Sequence, residues 1–303
     1  MTPAAQADAI VTGSTGFVGR ALLARLGARA RGLRLSGEGW REGIDRADFR
    51  GTTVFHLAAR VHRPGEDDEA AYARDNVEKT RALAQAATEG GARRFVFLSS
   101  IKVNGEETGA RPFAAGDAPA PADAYARSKL AAEEALRSLA GRGGLEVTIV
   151  RSPLVVGAGA AGHLRALLAL VDSPWPLPFA GIANRRTLIE AGDLAELLER
   201  ASGTADAAGR TLLAGDPSAL STPAIVGILR RALARPLRLF ACPGALLELA
   251  AGLAGQGGRM RRLTRSLEVD VGETTAMLGW SPRTGAAAGL EALALAWRAE
   301  RAP

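Results

Sequence analysis

Four strand-forming residues, Ala9-Ile10-Val11-Thr12, run directly into Gly13-Ser14-Thr15-Gly16-Phe17-Val18-Gly19, and a helix-forming stretch begins within the last triplet. A chain with that succession has few ways to fold. Glycine at a strand end permits the backbone of a tight turn, and its missing Cβ lets main chain approach an anion closely. The following helix offers free N–H groups and the positive end of its dipole at the same point. A pyrophosphate suits that geometry, and a parallel sheet carries it.

The rest of the first half repeats the alternation. Periodicity predicts helices over Val18–Arg29, Ala70–Glu89 and Ala124–Leu139, and strands over Gly32–Leu35, Thr53–Ala58, Arg94–Ser99 and Glu146–Val150. Such β-α-β units specify an α/β fold with a doubly wound parallel sheet, whose ligands gather at the carboxyl ends of the strands. Those ends fall at Gly13, Ser36, Ala59, Ser100 and Arg151. Beyond Arg151 the pattern loosens into Gly- and Pro-rich stretches at 157–162 and 174–178. Residues 1–156 are therefore expected to form a dinucleotide-binding domain. Residues 190–215 are expected to rejoin it, through a helix capped by Asp193 and a strand at Thr211. Residues 157–189 and 216–303 make a smaller C-terminal substrate lobe, in which Thr222 before Pro223 reads as a helix cap.

The net charge of +6 and pI near 10.3 raise the question of nucleic acid. Lysine occurs only at 79, 102 and 129, and the arginines read as scattered among carboxylates, the pattern of a solvated surface. No nucleic-acid partner is expected. No apolar run reaches the length of a membrane span, and Met1–Ala9 has neither the basic head nor the apolar stretch of a secretion signal. The single cysteine, Cys242, can form no internal disulfide and has no metal-ligand spacing around it. A cytoplasmic protein without a metal is the expectation.

Tyr125 and Lys129 stand four residues apart at the start of a predicted helix and share one face. A phenol is a poor base at neutral pH, and an ammonium beside it should lower its pKa. About 25 residues earlier, Ser100 closes a strand where its hydroxyl can orient a carbonyl or alcohol. The end of the second strand, Leu35-Ser36-Gly37, lacks the acid that would hold a ribose diol. Ser36, with Arg34 or Arg41, favours NADP, while Glu38 nearby keeps NAD open.

These residues make the chain resemble the extended short-chain dehydrogenases/reductases, the NAD-dependent epimerase/dehydratase family with a Rossmann-like fold, nearly end to end. The spacing Gly13-x-x-Gly16-x-x-Gly19 is the form found in that family. His56-Leu57-Ala58-Ala59 is similar to its HLAA strand end and Asn76 to its recurring helix asparagine. Ser100-Ile-Lys-Val-Asn104-Gly105 resembles S-x-x-V-Y-G, Arg151-Ser-Pro153-Leu-Val-Val-Gly157 resembles R-P-x-x-V-Y-G, and Leu278-Gly-Trp-Ser-Pro282 matches L-G-W-x-P. The resemblance implies that Ser100, Tyr125 and Lys129 are catalytic. It implies that Gly13, Thr15, Gly16, Phe17, Val18, Gly19, Ser36, Leu57, Ala58, Ala59, Asn76, Tyr125, Lys129 and Pro153 hold the dinucleotide. On the sugar side it implies Ser100, Asn104, His163, Arg186 and Arg262, with Arg186 gripping a substrate pyrophosphate.

The chain departs from the family at Lys79, where glycine is usual, at Asn104 and Val156 in place of tyrosines, at Ser152 in place of proline, and at His163 in place of asparagine. His56 reads as strand packing rather than as an acid or base, and His62 as exposed. Ile101-Lys102 replaces the Asp-Glu pair of 4,6-dehydratases, which disfavours dehydration. A further resemblance to bacterial polysaccharide enzymes that reduce UDP-4-keto-6-deoxy-N-acetylhexosamines puts 4-keto reduction first. A UDP-sugar 4-epimerase with retained NAD comes second, and a dinucleotide sensor without turnover third. A homodimer through two helices is the family's habit.

Overall fold

The computed structural model describes residues 8–61 and 68–301; His62 lies outside them, and the side chain of His163 is also not described. Its organising element is β1 (Ala9–Thr12), which pairs in parallel with β2 (Ala30–Leu33) on one side and β3 (Thr53–His56) on the other. β4 (Arg94–Ser100), β5 (Glu146–Ser152) and β8 (Thr211–Leu213) extend the sheet in the order β2-β1-β3-β4-β5-β8. Every pairing is parallel, and the crossings are α1 (Phe17–Leu26), α4 (Lys79–Glu89), α5 (Ala124–Leu139) and α7 (Ala191–Gly203). The doubly wound α/β fold expected from the alternation is present.

Parallel strands covered on both faces read as nearly continuous apolar runs, and successive residues feed opposite cores. Val11, Phe55, Val96 and Val150 pack against α1 and α7 through Leu22, Leu194 and Leu198. Ile10, Val54, Phe95, Phe97 and Ile149 pack against α4 and α5 through Leu83, Ala87, Ala132 and Leu136. At about 25 cal/mol per Å² of apolar surface, these two layers supply most of the stabilisation of the sheet.

The second core lies under the remaining elements. β6 (Leu154–Val156) pairs in parallel with β7 (Leu188–Glu190), and around that two-stranded sheet Leu164 and Leu168 of α6 (His163–Val171), Val226 and Leu229 of α8 (Thr222–Ala232) and Leu290 and Leu293 of α12 (Gly285–Ala299) interlock. α9 (Gly244–Leu253) and α10 (Gly257–Thr264) pack on each other beside it, and α11 (Gly272–Leu278) leads into α12. The remaining short helices are α2 (Trp40–Asp45) and α3 (Glu69–Tyr72), the latter running through a π-helical stretch (Ala73–Glu78) into α4.

Several boundaries differ from the expectation for physical reasons. The second strand ends at Leu33 instead of Leu35, because its register with β1 sets Leu33 opposite Thr12. Asp193 does not cap α7; Glu190 does, accepting from the N–H groups of Gly192 and Asp193 at 2.6 and 3.0 Å. Asp193 instead accepts from the N–H groups of Arg283, Thr284 and Gly285 at 2.9, 3.1 and 2.8 Å and so fixes the start of α12. Ser221, not Thr222, caps α8.

Candidate active site

Gly13 adopts φ +68°, and a Cβ built there would stand 2.7 Å from the Ala58 nitrogen. One added at Gly19 would meet the Gly13 carbonyl oxygen at 2.1 Å. Only glycine fits at either position, so β1, α1 and the loop after β3 close on one another. α1 begins at Gly16 with no side-chain cap and no acid in its first turn. Its N-terminal N–H groups are thus left for an anion, and the cradle fits the pyrophosphate of a dinucleotide.

From that cradle a cavity of about 1700 Å³ runs across the carboxyl ends of the strands to the second core. Gly13, Thr15, Gly16, Phe17, Val18 and Gly19 line one end of it, with Ser36 and then Leu57, Ala58 and Ala59 alongside. Ser100, Tyr125, Lys129 and Pro153 line its middle, and Arg186 and Arg262, expected on the sugar side, also line it. Sixteen of the residues singled out from the sequence thus share one cavity.

Two do not. The Asn76 side chain accepts from the Arg60 N–H at 2.7 Å and donates to the Arg60 carbonyl and to Ser128 Oγ at 3.1 and 2.9 Å. These three bonds tie the loop after β3 to α5, so Asn76 braces the cavity wall rather than lining it. Asn104, expected on the sugar side, is buried with its amide donating to Ala114 O at 3.1 Å and its oxygen accepting from Arg151 Nη1 at 2.9 Å. A smaller side chain than the family's tyrosine has turned inward to a charge. His163 begins α6.

Asp123 caps α5, accepting from the Ala126 N–H at 2.7 Å, and thereby aims Tyr125 and Lys129 at the end of β4. Tyr125 is hydrogen-bonded to Ser100. Its phenol is not lowered as expected: burial pushes it up to about 12, the Ser100 hydrogen bond opposes the rise, and Asp123 and Tyr72 add to it. Lys129 donates to the Leu98 carbonyl at 2.6 Å and lies 4.0 Å from the centre of the Phe97 ring. Burial pulls its ammonium down to about 7, and Glu133 partly restores it. Phenol and ammonium share one cavity, each shifted chiefly by burial.

The sequence reading missed what stands behind them. Glu133, one turn beyond Lys129 on α5, is fully buried and accepts from Ser99 Oγ at 2.5 Å, Arg151 Nε at 3.0 Å and Arg151 Nη2 at 2.7 Å. Burial favours its neutral form, but the Arg151 hydrogen bonds and charge hold the carboxyl below its ordinary range. A carboxylate at the i+4 position on a helix's buried face was the available signal. Lys102 and Glu106 also line the cavity, and Lys102 pairs with Asp123 and, at 2.7 Å, with Glu106. His56 is buried with both ring nitrogens bonded, Nδ1 to Thr12 Oγ1 at 2.6 Å and Nε2 to Thr80 Oγ1 at 2.8 Å, and burial drops it to about 3. It is a neutral packing group.

On the sugar side Arg186 donates to the Arg265 carbonyl at 3.1 Å. Burial and the neighbouring Arg262 bring it down to about 10, against the pull of Glu106. An arginine desolvated beside another arginine is short of negative charge, which an anion would supply. At the opposite end, Arg34 follows directly on β2 and donates through Nε to Ser36 Oγ at 2.8 Å.

The NAD dependent epimerase/dehydratase family matches the chain over residues 42–215. A Vibrio cholerae protein named UDP-glucose 4-epimerase is 35% identical over 298 residues, covering 90% of each chain. Among solved structures, UDP-glucuronic acid 4-epimerase from Bacillus cereus in complex with NAD superposes with a TM-score of 0.75 at 18% identity, over 97% of this chain and 99% of that one. RMD from Pseudomonas aeruginosa complexed with NADPH superposes with a TM-score of 0.76 at 19% identity, over 97% and 99%. These two establish the shared fold, and the sequence matches establish the kinship: the chain belongs to the NAD-dependent epimerase/dehydratase family.

Proposed function

We propose that the protein is a UDP-sugar 4-epimerase, inverting a hexose carbon by removing and returning one hydride. The observation that carries this reading is the 35% identity to the Vibrio cholerae protein of that name across 90% of both chains. The convergence of Ser100, Tyr125 and Lys129 on the cavity of the glycine cradle supports it.

When bound, the nicotinamide dinucleotide supplies an acceptor for the hydride and gives it back. The rest is the work of this chain. Ser100, already bonded to Tyr125, orients the sugar's C4 hydroxyl, and Tyr125 takes the O4 proton as the C4–H bond breaks. A phenol at about 12 yields a proton at neutral pH only with a cation brought to it. Lys129, near 7 in the same cavity, is the group that supplies one. Tyr125 then returns the proton to O4 as the C4–H bond re-forms on the opposite face, so no net oxidation occurs. Inversion needs the sugar to turn within the site while its diphosphate stays fixed, and Arg186 with Arg262 provides that anchor at the far end of the cavity.

A second reading, reduction of a 4-keto sugar nucleotide by NADPH, draws on a specific observation. Arg34 and Ser36 at the end of β2, hydrogen-bonded to each other, suit an adenosine 2′-phosphate. The two readings part cleanly in one assay. An epimerase converts UDP-galactose to UDP-glucose with no nucleotide added, followed by proton NMR. Consumption of NADPH at 340 nm with a UDP-4-keto sugar, and no interconversion of the two hexoses, would establish the reductase. In either assay Tyr125→Phe should lower turnover by roughly 10²–10⁴-fold; parent-like turnover by that variant would remove the proton-transfer role.

A further inference from the structure

α9 is built the wrong way round for a helix on a water-exposed protein surface. Its sequence, Gly-Ala-Leu-Leu-Glu-Leu-Ala-Ala-Gly-Leu, is apolar apart from Glu248, yet Ala251 is its only fully buried residue. A helix that is hydrophobic all round is ordinarily enclosed by a core or by lipid. Here the one charged side chain turns inward, accepting from Thr264 Oγ1 at 2.5 Å and from Arg265 Nε and Nη2 at 2.7 Å each. The leucines turn outward: Leu253 is 86% exposed, and Leu246 and Leu249 are each more than half exposed. At positions i, i+3 and i+7 these three form one stripe.

The segment that leads into α9 is also apolar and exposed. Leu237 and Phe240, in the segment leading to α9, are at least half exposed, as is Trp175. Arg230 donates to the Pro236 carbonyl at 2.9 Å and to the Trp175 carbonyl at 2.6 Å, drawing those two loops together. Large apolar side chains exposed in this number on one helix and the segment before it point to an interaction site.

Charge identifies the partner. Residues 217–267 contain eight arginines and one acid, Glu248, a net of +7, so the remainder of the chain is slightly acidic. What sets the segment apart is its shortage of carboxylates: elsewhere along the chain acids balance the arginines, and here they do not. Arg231 and Arg238 are exposed and form no ion pair among the described residues. A second copy of the chain would bring the same cations face to face, since a twofold contact pairs like with like. Leucine, phenylalanine and tryptophan set among arginines complement an anionic bilayer, whose headgroups take the charge and whose acyl boundary takes the apolar stripe.

We infer that α9 and the adjoining segment 235–240 dock the protein peripherally on an anionic lipid surface. α10, packed on α9, lines the catalytic cavity through Met260 and Arg262, so docking sets the cavity beside the bilayer.

Cosedimentation of the full chain with vesicles of phosphatidylglycerol and phosphatidylcholine, against phosphatidylcholine alone, tests this. The expected result is binding to the anionic vesicles at least roughly tenfold above the neutral ones, weakened by salt. The double variant Leu249→Asp/Leu253→Asp should lose that binding while keeping the parent's thermal midpoint. Arg238→Glu, which leaves the helix intact, should weaken it on its own. Failure of the parent to bind anionic vesicles, or unchanged binding by either variant, would overturn the inference. Conversion of a parent oligomer to monomers by the double variant would also overturn it, assigning the face to a second copy.

Discussion

Lys129 is a buried cation whose electrostatics can be read in stability. Burial lowers its pKa from 10.5 to about 7, so the folded protein binds that proton less tightly than the unfolded chain does. Below pH 7 both states are protonated, and the folded state bears the full cost of the buried charge. Between about 7 and 10.5 the folded state has lost the proton and the unfolded chain retains it, so stability rises with pH through that window. Lys129→Met should abolish this rise. Chemical denaturation at pH 6 and pH 9.5 should show the variant gaining relative to the parent at the lower pH, with the difference shrinking at the higher one. An identical pH dependence would contradict the burial of the charge. Glu133 gives a second residue-scale prediction. Glu133→Gln leaves Arg151 buried without its countercharge, a loss of about 3–5 kcal/mol. Calorimetry should show a fall in Tm of roughly 10 °C.

The helices and strands that hold these residues were legible to different degrees. α5 reads as Ala124–Leu139 from its periodicity and is found there, because one helix face packs on the sheet along its length. β2 did not read correctly, since the apolar Leu35 looks like strand and is in fact buried past the strand's end, where only pairing with β1 decides the boundary. The same limit applies to side chains. The glycine cradle and the Tyr125, Lys129 and Ser100 positions follow from local spacing. The inward turn of Asn104 depends on Arg151, 47 residues away, and the orientation of Asn76 on Ser128. The shortage of carboxylates over residues 217–267 was hidden because elsewhere along the chain they balance the arginines. At this scale the cradle offers a sharp test. Gly19→Ala puts a methyl 2.1 Å from the Gly13 carbonyl oxygen, backbone that cannot move without opening the turn between β1 and α1. That variant should lose dinucleotide binding by equilibrium dialysis at least roughly a hundredfold more than Gly227→Ala in α8, whose added methyl meets nothing within 4 Å.

For the whole molecule, the arrangement is a division of labour between two cores. The parallel sheet holds the cradle and the Ser100–Tyr125–Lys129 group in a fixed frame, and the second core places Arg186 and Arg262 across the cavity from them. Among the described residues no helix is long and apolar enough to cross a membrane. The proposed 4-epimerase reading has the substrate gripped by its diphosphate while the sugar turns, so that the hydride leaving C4 returns to C4 without passing to water. UDP-galactose carrying deuterium at C4, incubated with the protein and no added nucleotide, tests that claim directly. The account predicts UDP-glucose with the deuterium kept at C4; loss of the label to solvent, or no UDP-glucose at all, would contradict it.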